Sequence, residues 1–158
     1  MVSSYRGKDL DPFGKLGNLE SLSVLVAPVT NILGLRGLTK LRRLRLANLT
    51  KLSSLEGIER LTNLERLEID TCRQIRSIEQ VAGLRNLQEL YIDNCGNIDS
   101  IKPLEGLVKL RAVGFVESTN IMDGDLSVLT ALPKLCRLSY KNRQQYSHRR
   151  EEFRAYTG

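Results

Sequence analysis

Leucine returns at a fixed interval along this 158-residue chain. Leu19, Leu41, Leu64, Leu87, Leu110 and Leu135 are separated by 22, 23, 23, 23 and 25 residues. Three further columns keep the same step: Leu16, Leu38, Leu61, Leu84, Leu107 and Leu132; Leu22, Leu44, Leu67, Leu90, Val113 and Leu138; and Val24, Leu46, Ile69, Ile92, Phe115 and Tyr140. Four aliphatic columns in one period mark a solenoid, because each repeat is too small to bury its own apolar edge and must stack on its neighbours.

Within a repeat the spacing changes. Leu87, Leu90 and Ile92 end in alternation, the pattern of a short strand with one face buried. Ile75, Ile78, Val81, Leu84 and Leu87 recur every third residue, the period of a 3₁₀ helix, which proteins use in short pieces. Each repeat is therefore predicted to be a strand, a tight turn and a 3₁₀ or extended return. The core is aliphatic: aromatic residues make up 5% of the chain and tryptophan is absent.

The segments "LTNLERLEIDTCRQI" from Leu61 and "LRNLQELYIDNCGNI" from Leu84 resemble leucine-rich repeats. Their length and their I-x-x-I-x-x-L return are similar to the short internalin-like repeats of bacteria. The resemblance implies a right-handed α/β solenoid with a concave parallel sheet and a convex side of 3₁₀, short helical or extended segments. It also implies a bacterial source and a single domain. Residues 1–12 would form an N-terminal cap and partial repeat, 13–143 about six repeats, and 144–158 a C-terminal cap or tail.

Cys72 and Cys95 fall where such repeats usually carry asparagine, at the turn leaving the strand. A small buried side chain is needed there, and a thiol can donate weakly to a backbone carbonyl of the next turn. Ala27, Leu49 and Ser118 are the expected equivalents, so the ladder is irregular. The structural role is favoured over a redox pair or a metal site. Adjacent parallel strands are close enough for a disulfide, but buried free cysteine is usually inert.

Both ends need covering. "LDPF" at Leu10 aligns with "IKPL" at Ile101, so the chain begins late in a truncated repeat and residues 1–9 must shield the first coil. The last full repeat, "VESTNIMDGDLSVLTALPKL", is two residues longer than its neighbours. Glu117, Asp123 and Asp125 suggest a Ca²⁺ loop, but their spacing does not match an EF-hand. The expectation is instead a turn at Asp123-Gly124 and a short helix over 126–131 capped by Asp125. In the tail, a helix starting at Ser147 would lay Phe153 and Tyr156 on the open end. A basic arm touching nucleic acid is the alternative.

Function is expected on the concave face, where alternate strand residues are free of core duties. Arg43, Arg45 and Arg66 form a basic strip there. Glu68, Asp70, Glu89 and Asp93 form an acidic zone around Tyr91, with Glu117 and Arg137 further along. Ala47, Ala112 and Gly114 fall on the same face. A tyrosine among charges is a natural anchor for a protein partner. The competing expectation is a solvated face with cross-strand pairs such as Arg45–Glu68 and Arg66–Glu89, each worth little.

The net charge of +6 includes +3 from residues 141–158, where Lys141, Arg143, Arg149, Arg150 and Arg154 outnumber Glu151 and Glu152. The first 140 residues thus carry only +3, too little to imply nucleic acid. No phosphate loop, HExxH, GxSxG or CxxC motif occurs, and the single histidine, His148, lies in the tail. The expectation is a non-enzymatic scaffold without cofactor or bound metal, monomeric, possessing no membrane span or signal-peptide pattern, and cytoplasmic in view of its three cysteines. An adaptor or immunity-type role would fit the size. The alternatives are nucleic-acid contact through the basic tail, or a repeat module of a larger protein without independent activity.

Overall fold

The computed structural model describes residues 2–3 and 5–156, with side chains described over 5–153. Seven parallel strands form one sheet in chain order: β1 (Val2–Ser3), β2 (Ser21–Leu25), β3 (Arg43–Ala47), β4 (Arg66–Asp70), β5 (Glu89–Asp93), β7 (Ala112–Phe115) and β9 (Arg137–Tyr140). A second, two-stranded sheet pairs β6 (Asn97–Ile98) with β8 (Asn120–Ile121) behind the turn that leaves the main sheet. The register repeats the sequence columns: Leu22, Leu44, Leu67, Leu90, Val113 and Leu138 lie side by side, as do Val24, Leu46, Ile69 and Ile92. The fold is a solenoid with a concave parallel sheet.

The return side is built from 3₁₀ turns at Leu33–Leu35, Ile58–Arg60, Glu79–Gly83, Lys102–Leu104 and Ser127–Ala131. The three-residue spacing has a direct cause. The amides of Ile75, Val81, Leu84 and Leu87 each donate to the carbonyl three residues earlier, at 3.2, 3.0, 3.0 and 2.9 Å. Every apolar residue in this row then points the same way, into the stack. Leu10 and Ile101 open equivalent turns. Each carbonyl accepts from the amide three residues on, Phe13 and Leu104, at 3.0 Å, so "LDPF" opens as "IKPL" does, although it forms a short α-helix, Asp11–Gly14, where "IKPL" forms a 3₁₀ turn.

The aliphatic columns are buried from Leu22 to Leu138, with one departure at the start. Leu16 is 50% exposed and Leu19 only partly covered. They belong to the first coil, which among the described residues is packed against a repeat on one side only. Strand β1 pairs only with Val24 and Leu25, the far end of β2. Tyr5 packs edge-on against Phe13 at 5.0 Å and shields part of that coil.

The C-terminal end departs from expectation in its detail. The tail's 3₁₀ segment is Arg150–Tyr156 and does not start at Ser147. The Ser147 hydroxyl oxygen instead accepts the Leu126 amide at 2.9 Å, which ties the tail to the last long repeat. Phe153 is buried, as is Tyr146, which the sequence pattern did not single out. The Tyr156 side chain lies outside the described residues. Helix 126–131 is a 3₁₀ turn over Ser127–Ala131, with the Asp125 carboxylate accepting the Ser127 amide at 2.9 Å. Gly124 adopts φ +66°, so the predicted Asp123-Gly124 turn uses glycine where the left-handed conformation is required. No helix among the described residues is long and apolar enough to cross a membrane.

Candidate functional site

Strands β3, β4, β5, β7 and β9 place the predicted strand residues in three rows across the concave face. One row runs Arg43, Arg66, Glu89, Ala112, Arg137; the next runs Arg45, Glu68, Tyr91, Gly114, Ser139. Asp70 and Asp93 stand directly opposite each other in a third row. Opposite charges on adjacent strands are within reach of one another.

The basic strip and the acidic zone are not separate fields. Arg66 holds Glu68 at 2.5 Å through Nε and bonds Glu89 through Nη1, and its guanidinium lies 5.1 Å from the Tyr91 ring centroid. Arg45 reaches Glu68 and Asp70, both at 3.7 Å. Arg137 extends over Ala112 to pair with Glu89 at 3.1 Å. Both cross-strand pairs read from the sequence, Arg45–Glu68 and Arg66–Glu89, are present. Exposed pairs of this kind contribute about 0–1 kcal/mol each; their effect is to fix the side chains and cancel the local charge. Bonding to Glu68 is the main cause that raises the Arg66 pKa further.

Among the described residues Arg43 has no carboxylate partner, and Glu117 lies apart from the strands. Glu117 sits at φ +57° on the turn after β7 and pairs with Lys141 at 3.5 Å. Ala47, Ala112 and Gly114, expected on the open face, are covered. A Cβ at Gly114 would stand 2.8 Å from the Tyr91 ring, so this ring lies on the bare backbone of the neighbouring strand. Around it Arg45, Arg66, Glu68, Ile69, Asp70, Tyr91 and Asp93 line a shallow depression of about 200 Å³. A second depression of about 230 Å³ continues it toward β2.

Asp93 differs from the other acids. Burial pushes its pKa up, the Val116 amide at 3.2 Å opposes that, and Asp70, Glu117 and Glu68 raise it further. Beside it, a polar chain crosses the strand ends: Ser118 donates to Asn94, Asn94 to Thr71, and Thr71 to Asp70.

Beneath this edge lies the ladder. Cys72 and Cys95 are buried free thiols. Each thiol lies near the carbonyl at the end of its own strand, Asp70 at 3.4 Å and Asp93 at 3.2 Å. Each also lies near a carbonyl of the preceding repeat, Leu46 at 3.7 Å and Ile69 at 3.5 Å, and not near the next turn as the repeat pattern suggested. Burial pushes their pKa values up to about 11 and about 12. Ser118, the expected next rung, is exposed; the buried residue is Thr119, whose hydroxyl accepts the Cys95 amide at 3.0 Å. The longer repeat shifts its rung by one residue. Among the described residues no three His, Cys, Asp or Glu side chains gather as a metal-holding cluster.

The architecture superposes on an internalin, InlF of Listeria monocytogenes, with a TM-score of 0.75 and 22% identity over 92% of this chain and 43% of that one. The chain folds as an internalin-like leucine-rich repeat solenoid. The functional domain of InlJ from Listeria monocytogenes, described as including a cysteine ladder, matches with a TM-score of 0.67 and 25% identity over 85% of this chain and 27% of that one. The plant peptide hormone receptor RGFR1, solved in complex with RGF2, matches at 0.65 and 18% over 89% and 24%. In each case this solenoid spans less than half the length of the structure it resembles. No protein-family model and no curated protein matches the sequence.

Proposed function

We propose that the concave face binds a protein partner, with Tyr91 as its anchor. The observation that carries this reading is the fixed Arg66–Tyr91 contact over Gly114, at the centre of an open depression free of core duties. A tyrosine held in one place loses little freedom on binding, and such residues dominate interface energetics. That a receptor of the same fold is solved in complex with a peptide hormone supports a polypeptide ligand. Three arginines (Arg45, Arg66 and Arg137) pair with three carboxylates (Glu68, Asp70 and Glu89). Recognition therefore rests on exchanging these pairs and not on bulk charge.

An adaptor or immunity-type role suits a small scaffold of this kind. An exposed free thiol at Cys136 is compatible with a reducing, cytoplasmic setting. A second reading is a repeat module acting within a larger protein, favoured by the short span relative to the matched structures.

The test is capture of partners from the native host with wild type and with a Glu68→Ala, Tyr91→Ala, Asp93→Ala triple variant. The variant should keep its fold and weaken binding by about 2–4 kcal/mol, with Tyr91→Ala the largest single term. Unchanged binding of every captured protein would refute the assignment.

A further inference from the structure

A second surface lies off the concave face, along the edge where the strands begin. Residues one and three before each strand form two rows there. One runs Glu20, Arg42, Glu65, Gln88, Arg111, Cys136; the other runs Asn18, Lys40, Asn63, Asn86, Lys109, Lys134. In the first half of this edge the arginine is answered, since Arg42 pairs with Glu65 at 2.7 Å, while Lys40 bonds only the neutral Asn18 at 2.8 Å. In the second half the acid is replaced by Gln88, and the cations continue.

Gln88, Lys109, Arg111, Lys134 and Cys136 line an open groove of about 510 Å³. No carboxylate lines it. Lys109 bonds Asn86 at 2.6 Å, which positions the ammonium without neutralising it. Among the described residues the Arg111 and Lys134 side chains have no acidic partner. The groove wall is firm, because the Arg111 carbonyl accepts both the Cys136 and Arg137 amides at 2.9 Å, with the Cys136 sulfur 3.4 Å away.

We propose that this groove docks an acidic peptide segment. Arg111 offers a planar fork for a carboxylate, the two lysines offer point charges, and the Gln88 amide can donate to and accept from a peptide backbone. Three cations without an aromatic neighbour make a poor nucleic-acid site, since base stacking is missing and few phosphates are neutralised. The surface is separate from the Tyr91 face, so the two assignments succeed or fail independently.

Cys136 supplies the readout, being exposed while Cys72 and Cys95 are buried. The rate of Cys136 alkylation by a neutral maleimide is followed on the intact protein with hexaglutamate, hexaglutamine or short single-stranded DNA present. Hexaglutamate should slow the reaction by about fivefold at saturation, because covering the thiol controls its reactivity, and the protection should fade with salt. A Lys109→Glu, Lys134→Glu variant, and separately Lys109→Gln, Lys134→Gln, should lose the protection with melting temperature unchanged. Equal protection by hexaglutamine, retained protection in the folded variants, or stronger protection by DNA than by hexaglutamate would each overturn the proposal.

Discussion

The Tyr91 ring rests on Gly114, where an added Cβ would come within 2.8 Å of it. Glycine is therefore part of the Tyr91 site, although it has no side chain to offer a partner. Gly114→Ala should swing the ring off its seat and break the Arg66 contact at 5.1 Å. The stability cost should stay near about 1 kcal/mol, because the ring can move into solvent and a cation–π contact at an exposed site is worth about 0.5–1 kcal/mol. Ring-proton NMR shifts of Tyr91, with a denaturation curve, would check both parts. An unmoved ring would refute the argument.

Asp93 should make the solenoid less stable as pH rises. Its pKa is raised in the fold, first by burial and then by Asp70, Glu117 and Glu68. Below the unfolded value of about 3.9 both states are protonated and the group contributes nothing. Above it the unfolded chain ionises first, so stability is lost as pH climbs through the raised value. Asp93→Asn keeps an acceptor for the Val116 amide. It should be more stable than wild type at pH 7 and equal to it near pH 3, measured by urea unfolding at both pH values.

How much of this was legible varies along the chain. Leu44, Leu67 and Leu90 could be placed side by side from spacing alone, because each repeat contacts the next in one way and the period records that contact. Leu16 could not, since the column continues at an end where the contact is missing. The ladder rung moved from Ser118 to Thr119 because the two-residue expansion changes the phase within a repeat, which a column count absorbs silently. The concave charges were readable as types. The cross-strand pairs Arg45–Glu68 and Arg66–Glu89 follow from the register, but the Arg66–Glu68 bond along one strand and the long reach of Arg137 over Ala112 depend on side-chain length, which no period encodes.

Thr119 should matter more than its neighbour Ser118. Thr119→Val keeps the shape and removes the acceptor of the buried Cys95 amide, at a cost of about 1–3 kcal/mol. Thr119→Ser should cost less, and Ser118→Ala only about 0.5 kcal/mol, as at an exposed site. Chemical denaturation of the three variants gives the order; parity of Ser118→Ala and Thr119→Val would show that the rung is misplaced.

Val26 carries strain that a substitution can relieve. It is β-branched, 56% exposed and held at φ +55°, where Asn48 and Asn94 occupy the equivalent turns. The left-handed conformation costs an ordinary L-residue roughly 1–2 kcal/mol, and asparagine tolerates it better. Val26→Asn should raise stability by about 1 kcal/mol. A lowered melting temperature would mean that the exposed valine packs on something the turn geometry does not reveal.

The tail should behave as part of the fold. Phe115 and Tyr140 stack at 5.0 Å, and Tyr146 and Phe153 close over Tyr140 edge-on at 5.8 and 6.5 Å. The Tyr146 hydroxyl accepts the buried Ile121 amide at 3.0 Å, and Ser147 accepts that of Leu126. Arg143 donates to the Glu117 and Thr119 carbonyls. Cutting after Asn142 leaves the Phe115–Tyr140 stack but removes every other one of these contacts at once. Phe153→Ala alone should cost about 3–5 kcal/mol, the usual range for a buried phenylalanine. Tyr146→Phe should cost about 1–3 kcal/mol through the orphaned Ile121 amide. In hydrogen exchange the loosening should begin in the last repeats and fade toward β3, because contacts are nearest-neighbour. A truncated chain that stays as stable and as monomeric as the parent would return residues 143–158 to the status of a free basic arm, and salt-dependent binding to unrelated DNA or RNA would then be the next measurement.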